Sequence, residues 1–163
     1  MEIQNQIELL ESRLHDLEAK EGIRDTVGRY AKAVDYGHFA ELDLIFTDDI
    51  VFSIGQWREE QMGKKHALQF IRDYLATYQH PHRYIANECI HIDGEKGSYS
   101  SYFFVVQSYK GQSYIGWGIY DWLFRLEDGI WKIAKMVIDI KTMTTLEKGW
   151  GMEQDRVVPF PPR

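Results

Sequence analysis

The feature that most constrains this chain is a set of four long segments, roughly residues 82–93, 97–109, 112–126 and 130–144. They are separated only by the turn signals Asp93-Gly94, Lys110-Gly111 and Asp128-Gly129. Segments this long, joined by loops this short, pair with their neighbours as antiparallel hairpins, so the spacing predicts a meander. The third segment alternates. Tyr114, Gly116, Gly118, Tyr120, Trp122 and Phe124 project to one side; Ile115, Trp117, Ile119, Asp121, Leu123 and Arg125 project to the other. Both sides are largely apolar, so both need a cover. Helices supply one cover and a second subunit the other, which predicts a homo-oligomer.

Upstream the hydrophobic period changes from two residues to that of a helix. Ile3, Ile7, Leu10, Leu14 and Leu17 are spaced 4, 3, 4, 3, as in a coiled-coil seam. They predict a leading helix over residues 1–20 that packs on the domain or on a sister subunit. Gly22 reads as a break. Ile23, Val27, Tyr30, Ala31 and Val34 then carry a second helix to residue 35, with Gly37 placed for a left-handed C-cap. A short helix over roughly 38–46 follows, and Phe46 to Gly55 reads as a turn leading into a strand. Gly63 precedes an amphipathic helix whose stripe is Ala67, Phe70, Ile71, Tyr74 and Leu75. Residues 146–163, ending Val157-Val-Pro-Phe-Pro-Pro-Arg163, predict an extended tail, since proline suits neither helix nor central strand. The pattern is one domain over 1–163. Helices come first and a curved, mainly antiparallel sheet folds around them, giving a cone-shaped α+β barrel.

Composition narrows the function. Aromatic residues make up 14% of the chain, with ten Tyr, eight Phe and five Trp, which suits a core built around a pocket. A net charge of −6 gives no electrostatic footprint for nucleic acid. No apolar run is long enough to span a membrane, and the acidic start MEIQNQIELLESR is unlike a signal peptide, so a cytoplasmic protein is expected. Cys89 is the single cysteine and reads as a small hydrophobe inside a strand. There is no phosphate loop or dinucleotide fingerprint, the lone Gly116-Trp-Gly118 falling within a strand, so no cofactor is implied. His80, His82 and His91 lack a Cys or a firm acidic third ligand, and no metal is expected.

Among residues able to carry chemistry, Asp35 stands out. It sits in the last turn of its helix, where the macrodipole makes a carboxylate locally unfavourable, and at the edge of the stripe of Val27, Ala31 and Val34. Two readings remain from the residues alone: an exposed helix-end aspartate, or a general acid or base at a cavity wall.

The runs Ile23-Arg-Asp-Thr-Val-Gly-Arg-Tyr30-Ala-Lys-Ala-Val-Asp35-Tyr-Gly-His-Phe, Leu44-Ile-Phe-Thr-Asp-Asp-Ile, Asn87-Glu-Cys-Ile-His-Ile-Asp-Gly and Leu126-Glu-Asp-Gly-Ile-Trp-Lys-Ile-Ala resemble the signatures of SnoaL-like proteins. These belong to the nuclear transport factor 2-like superfamily, and the resemblance covers roughly 20–145. It is strongest to the dehydratase branch of scytalone dehydratase and the bile-acid 7α-dehydratases, and implies the cone fold shared with ketosteroid isomerase. It further implies a cofactor-free lyase that removes a proton alpha to a carbonyl of a hydrophobic polycyclic or aromatic substrate and then expels water. Isomerase or polyketide-cyclase chemistry, or a non-catalytic binding or scaffold role, are the alternatives on the same fold. The resemblance pairs Asp35 with a histidine, for which His82 is the candidate, and gives Tyr30 a role at the substrate or leaving group. The family spacing, counted back from Asn87, falls on Arg83. Either an irregular turn restores His82 to the site or an arginine occupies it, and arginine is no base at neutral pH. A tyrosine usual on the first strand falls on Ile54, leaving Trp57, Tyr102 and Tyr120 to supply a ring or hydroxyl, with Arg83 as a further substrate contact. A trimer is implied by likeness to the dehydratases and a dimer by likeness to the isomerases.

Overall fold

The computed structural model describes residues 2–54 and 58–151. Its elements run α1 (Glu2–Tyr36), α2 (Phe39–Ile45), β1 (Phe46–Ile54), β2 (Arg58–Met62), α3 (Lys64–Thr77), β3 (Gln79–Asp93), β4 (Lys96–Tyr109), β5 (Gln112–Glu127) and β6 (Ile130–Thr145). The four C-terminal strands form the expected antiparallel meander. β6 then pairs in parallel with β1, giving one six-stranded sheet in the order β2-β1-β6-β5-β4-β3. β2 has no counterpart in the sequence reading, because Arg-Glu-Glu-Gln-Met carries no apolar alternation to announce a strand.

The sheet curves around the helices and buries its inner row against them. Tyr120, Trp122 and Phe124 of β5 are buried there, while Asp121 and Leu123 of the alternate row are exposed. Aromatic rings interlock at the centre. Tyr30 meets Trp122 edge-on at 4.8 Å between centroids, and Phe103 stacks on Tyr120 at 4.4 Å. On the outer surface Tyr84, Tyr102 and Leu123 remain exposed.

Two expectations are corrected here. α1 is a single helix of 35 residues, not two helices broken at Gly22. Gly22 serves a close approach instead: a Cβ there would lie 2.6 Å from Cδ1 of the buried Trp131 ring. The helix ends at Gly37, as its left-handed φ of 69° permits, and the His38 amide closes the last turn onto the Ala33 carbonyl at 2.8 Å. Cys89 is exposed rather than interior, because β3 is an edge strand whose pairing slips between Ala86 and Cys89. The predicted tail from Val157 onward lies outside the described residues.

Candidate active site

Inside the cone is a cavity of about 80 Å³. α1 contributes Tyr30 and Val34, α3 contributes Phe70 and Tyr74, and the sheet contributes Arg83, Gln107 and Tyr120 among a mostly apolar wall. Each polar group arrives there by element periodicity. Tyr30 belongs to the buried row of α1, and Tyr120 to the inner row of β5. On β3 the pairing irregularity lies between Gln79 and His82, ahead of the site. From there the strand alternates, so His82 and Tyr84 point outward and are exposed. Arg83 points inward, its side chain only 6% exposed.

The expected pair of Asp35 with His82 is therefore not formed. Asp35 is held by Arg83 twice: the Arg83 backbone amide donates to Oδ2 at 3.0 Å, and Nε donates to Oδ1 at 2.7 Å. The carboxylate is 9% exposed, so both partners of this ion pair are removed from water. His82 instead lays its ring edge-on to Tyr36 at 6.2 Å, and its Nδ1 lies 3.3 Å from the His80 carbonyl oxygen. On the far side of Arg83 from the cavity, an open groove between α1 and β3 reaches Asp35.

The guanidinium has capacity left. Its Nη2 is buried and makes no hydrogen bond of good geometry among the described residues, while the side chain lies within weak hydrogen-bonding reach of the Tyr74 and Tyr120 hydroxyls. The guanidinium carbon lies 5.7 Å from the ring centroids of both Tyr30 and Tyr74. The Tyr74 hydroxyl donates to Gln107 Oε1 at 2.5 Å. Burial pushes the Tyr74 hydroxyl up to about 12, with the Arg83 charge pulling the other way. Burial likewise raises Tyr30 and Tyr120 above the ordinary phenol range. At neutral pH these hydroxyls keep their protons, and arginine keeps its charge. The polar end of the cavity is thus a set of donors, Arg83 Nη2 with the Tyr30 and Tyr120 hydroxyls, facing an apolar remainder. Such a site suits an acceptor oxygen on an otherwise hydrophobic molecule.

Of the residues singled out from sequence, Tyr30, Arg83 and Tyr120 line the cavity and Asp35 anchors it. Tyr102 stands on the outer face, 60% exposed, and does not reach it. Trp57 lies outside the described residues. Tyr74 and Gln107 were not anticipated as site residues. Gln107 had a signal: it continues the inward row of Phe103 and Val105, where an amide needs a buried partner. Among the described residues no three His, Cys, Asp or Glu side chains converge as metal ligands would.

The sequence matches the family model of the SnoaL-like domain over residues 15–137. No curated protein sequence matches the chain. Solved structures do. A candidate scytalone dehydratase from Novosphingobium aromaticivorans superposes with a TM-score of 0.72 at 18% identity, covering 78% of this chain and 87% of that one. A candidate aromatic ring hydroxylase from the same organism gives 0.72 at 25% identity, covering 81% and 96%. The hexachlorocyclohexane dehydrochlorinase LinA-type3 of Novosphingobium barchaimii gives 0.74 at 18% identity, covering 85% and 97%.

Proposed function

Because the chain belongs to the SnoaL-like family of the nuclear transport factor 2-like superfamily, we propose that its cone takes up a neutral, hydrophobic ketone and eliminates water from it as a carbon–oxygen lyase. The observation that carries this reading is the buried Nη2 of Arg83 at the cavity wall, which makes no hydrogen bond of good geometry among the described residues. A buried guanidinium costs several kcal/mol in lost hydration, and Asp35 offsets that cost without using up its donors. What remains is the Nη2 amino group at a mostly apolar wall, near tyrosines that keep their protons. A ketone oxygen satisfies it. A carboxylate would instead bring a second negative charge beside Asp35.

In this reading the carbonyl oxygen is held by Arg83 Nη2 and the Tyr120 hydroxyl, which stabilise it as it gains charge. Asp35 borders Arg83 outside the cavity lining, so one of its oxygens must let go of Arg83 and turn toward the ketone to take the proton alpha to the carbonyl, and the electron pair moves onto the carbonyl oxygen. Collapse of that enolate expels the beta hydroxyl, which leaves as water with a proton delivered through Tyr30 or returned from Asp35. The products are the conjugated ketone and water. His82 has no part in it.

A second reading is favoured by one feature: both Asp35 oxygens are already engaged, and no histidine or carboxylate is among the cavity's lining residues. Such a cavity binds its ketone without turning it over. One experiment separates the two. A bicyclic beta-hydroxyketone of the hydroxytetralone type is offered to the protein and the aromatic product followed by absorbance. Turnover that falls by about 10²–10³ in Arg83→Met supports the lyase. Tight binding of the hydroxytetralone without turnover supports the binding protein. Equal affinity for tetralone and for the hydrocarbon tetralin overturns both, since the carbonyl would then not be recognised.

A further inference from the structure

Among the described residues nothing packs against the first half of α1. Residues 2–18 are exposed throughout, and the helix begins to bury side chains only at Ala19. Within that projecting half, Ile3, Ile7, Leu10, Leu14 and Leu17 form one stripe, each between 43% and 74% exposed. At about 100° per residue this stripe lies roughly half a turn from the row Ala19, Ile23, Thr26, Tyr30 and Ala33 that packs into the cone. Since α1 is unbroken, the stripe faces away from its own sheet and cannot fold back onto it. Farther along the same line Glu21, Asp25 and Lys32 are exposed as well, so no described element covers that side.

We propose that a second copy of this chain occupies the stripe, in a parallel, in-register two-helix coil over Ile3–Leu17. The spacing places Ile7 and Leu14 at a positions and Ile3, Leu10 and Leu17 at d positions, a self-complementary seam. The flanking charges select the orientation. Positions after d carry Gln4, Glu11 and Glu18; positions before a carry Gln6, Arg13 and Lys20. In a parallel pair Arg13 meets Glu18 of the partner subunit, and Gln6 meets Glu11 of the partner subunit, twice each by symmetry. An antiparallel pair sets the acidic row against itself and the basic row against itself. The parallel arrangement also leaves each cone on the outer side of the coil, so the bodies do not collide. A helical stretch this short is marginal alone in water, so the helix and its partner order together and association depends on concentration.

The test uses the full chain. Leu10→Glu/Leu14→Glu changes only exposed positions, and an unchanged near-ultraviolet circular dichroism spectrum certifies its aromatic core. In sedimentation equilibrium at rising concentration, the wild-type assembly is expected to reach twice the mass of that variant's, whatever contacts the sheets make. Oxidation supplies the orientation. In a Cys89→Ser background, Leu17→Cys is expected to form a disulfide-linked dimer with itself. Equal masses for wild type and variant overturn the proposal, as does a threefold ratio. Cross-linking between Ile7→Cys and Leu17→Cys chains, in place of the Leu17→Cys self-link, overturns the parallel orientation.

Discussion

Arg83 binds Asp35 with its backbone amide as well as its side chain, at 3.0 and 2.7 Å, so one carboxylate fixes both the backbone of β3 at Arg83 and where the guanidinium points. The pair joins the end of α1 to the edge of the sheet. It is a structural clamp and a candidate reaction centre at once, and the two roles are separable by mutation.

Removing one partner strands the other in a dry site. Arg83→Met is expected to lower unfolding stability by about 3–5 kcal/mol, because Asp35 is left as an uncompensated buried charge. Adding Asp35→Leu should recover most of that loss, leaving about 1 kcal/mol for the Arg83 amide that has lost its acceptor. Urea denaturation of the two variants measures both values.

Asp35→Asn gives the opposite sign from a helix-dipole argument. A carboxylate at a helix C-terminus is unfavourable in isolation, so its removal would be neutral or stabilising. Here the charge is matched by Arg83, and Asp35→Asn is expected to cost about 1.5–3 kcal/mol, the range for a hydrogen bond to a charged group. A thermal melt shifted downward confirms the clamp; an upward shift contradicts it.

His82→Ala should change little. The ring is exposed, and what it touches is the Tyr36 ring edge and the His80 carbonyl. Stability is expected to stay within about 0.5 kcal/mol of wild type, with ketone binding and turnover unaltered. A loss of turnover on His82→Ala would return the histidine to the mechanism.

High pH should unfold the protein through its tyrosines. Tyr30, Tyr74 and Tyr120 all titrate higher in the folded chain than the ordinary value of 10.0, because burial disfavours the phenolate. Above that pH the unfolded chain releases protons that the folded chain retains. Their contribution is therefore complete below pH 10 and is lost as pH rises, for Tyr74 over a window ending at about 12. The slope is about 1.4 kcal/mol per pH unit for each tyrosine titrating in the unfolded chain only. Tyrosinate absorbance should accordingly rise in two stages, exposed rings first and the buried ones, Tyr78 and Tyr99 with these three, together with the loss of secondary structure.

Gly22→Ala sets helix propensity against packing. Alanine favours a helix interior by about 1 kcal/mol over glycine, yet its methyl would sit 2.6 Å from the Trp131 ring. Overpacking a buried aromatic costs about 1–3 kcal/mol, so net destabilisation is expected in a chemical melt. A stabilised variant would mean that α1 and β6 can separate there without cost.

The meander, the helix after Gly63 and the cap at Gly37 were legible because each rests on local periodicity or a turn residue. The continuity of α1 was not. A glycine reads as a break unless its tertiary neighbour is known, and Trp131 lies more than a hundred residues away. The choice between His82 and Arg83 was open for a similar reason. Alternation fixes which of two adjacent residues faces inward only once the site of the strand irregularity is known, and Gln-His-Pro-His offers several positions for it. Counting from Asn87 pointed to Arg83, the residue that lines the cavity, while chemical expectation pointed to its neighbour. Asp35 and Tyr30 were accessible because they share one helix and one family run.

The position of β6 bears on how this chain folds. It is the last strand among the described residues and yet it lies inside the sheet, between β5 and β1. Its contacts with β1 span from Phe46 to Ile133 in sequence, a loop whose closure is entropically costly. On the ribosome the helices and β1–β2 must wait, their apolar faces uncovered, until the final hairpin emerges to join them. Substitutions that weaken the β5–β6 turn at Asp128-Gly129 should accordingly lower the yield of folded protein more than they lower the stability of molecules that have already folded.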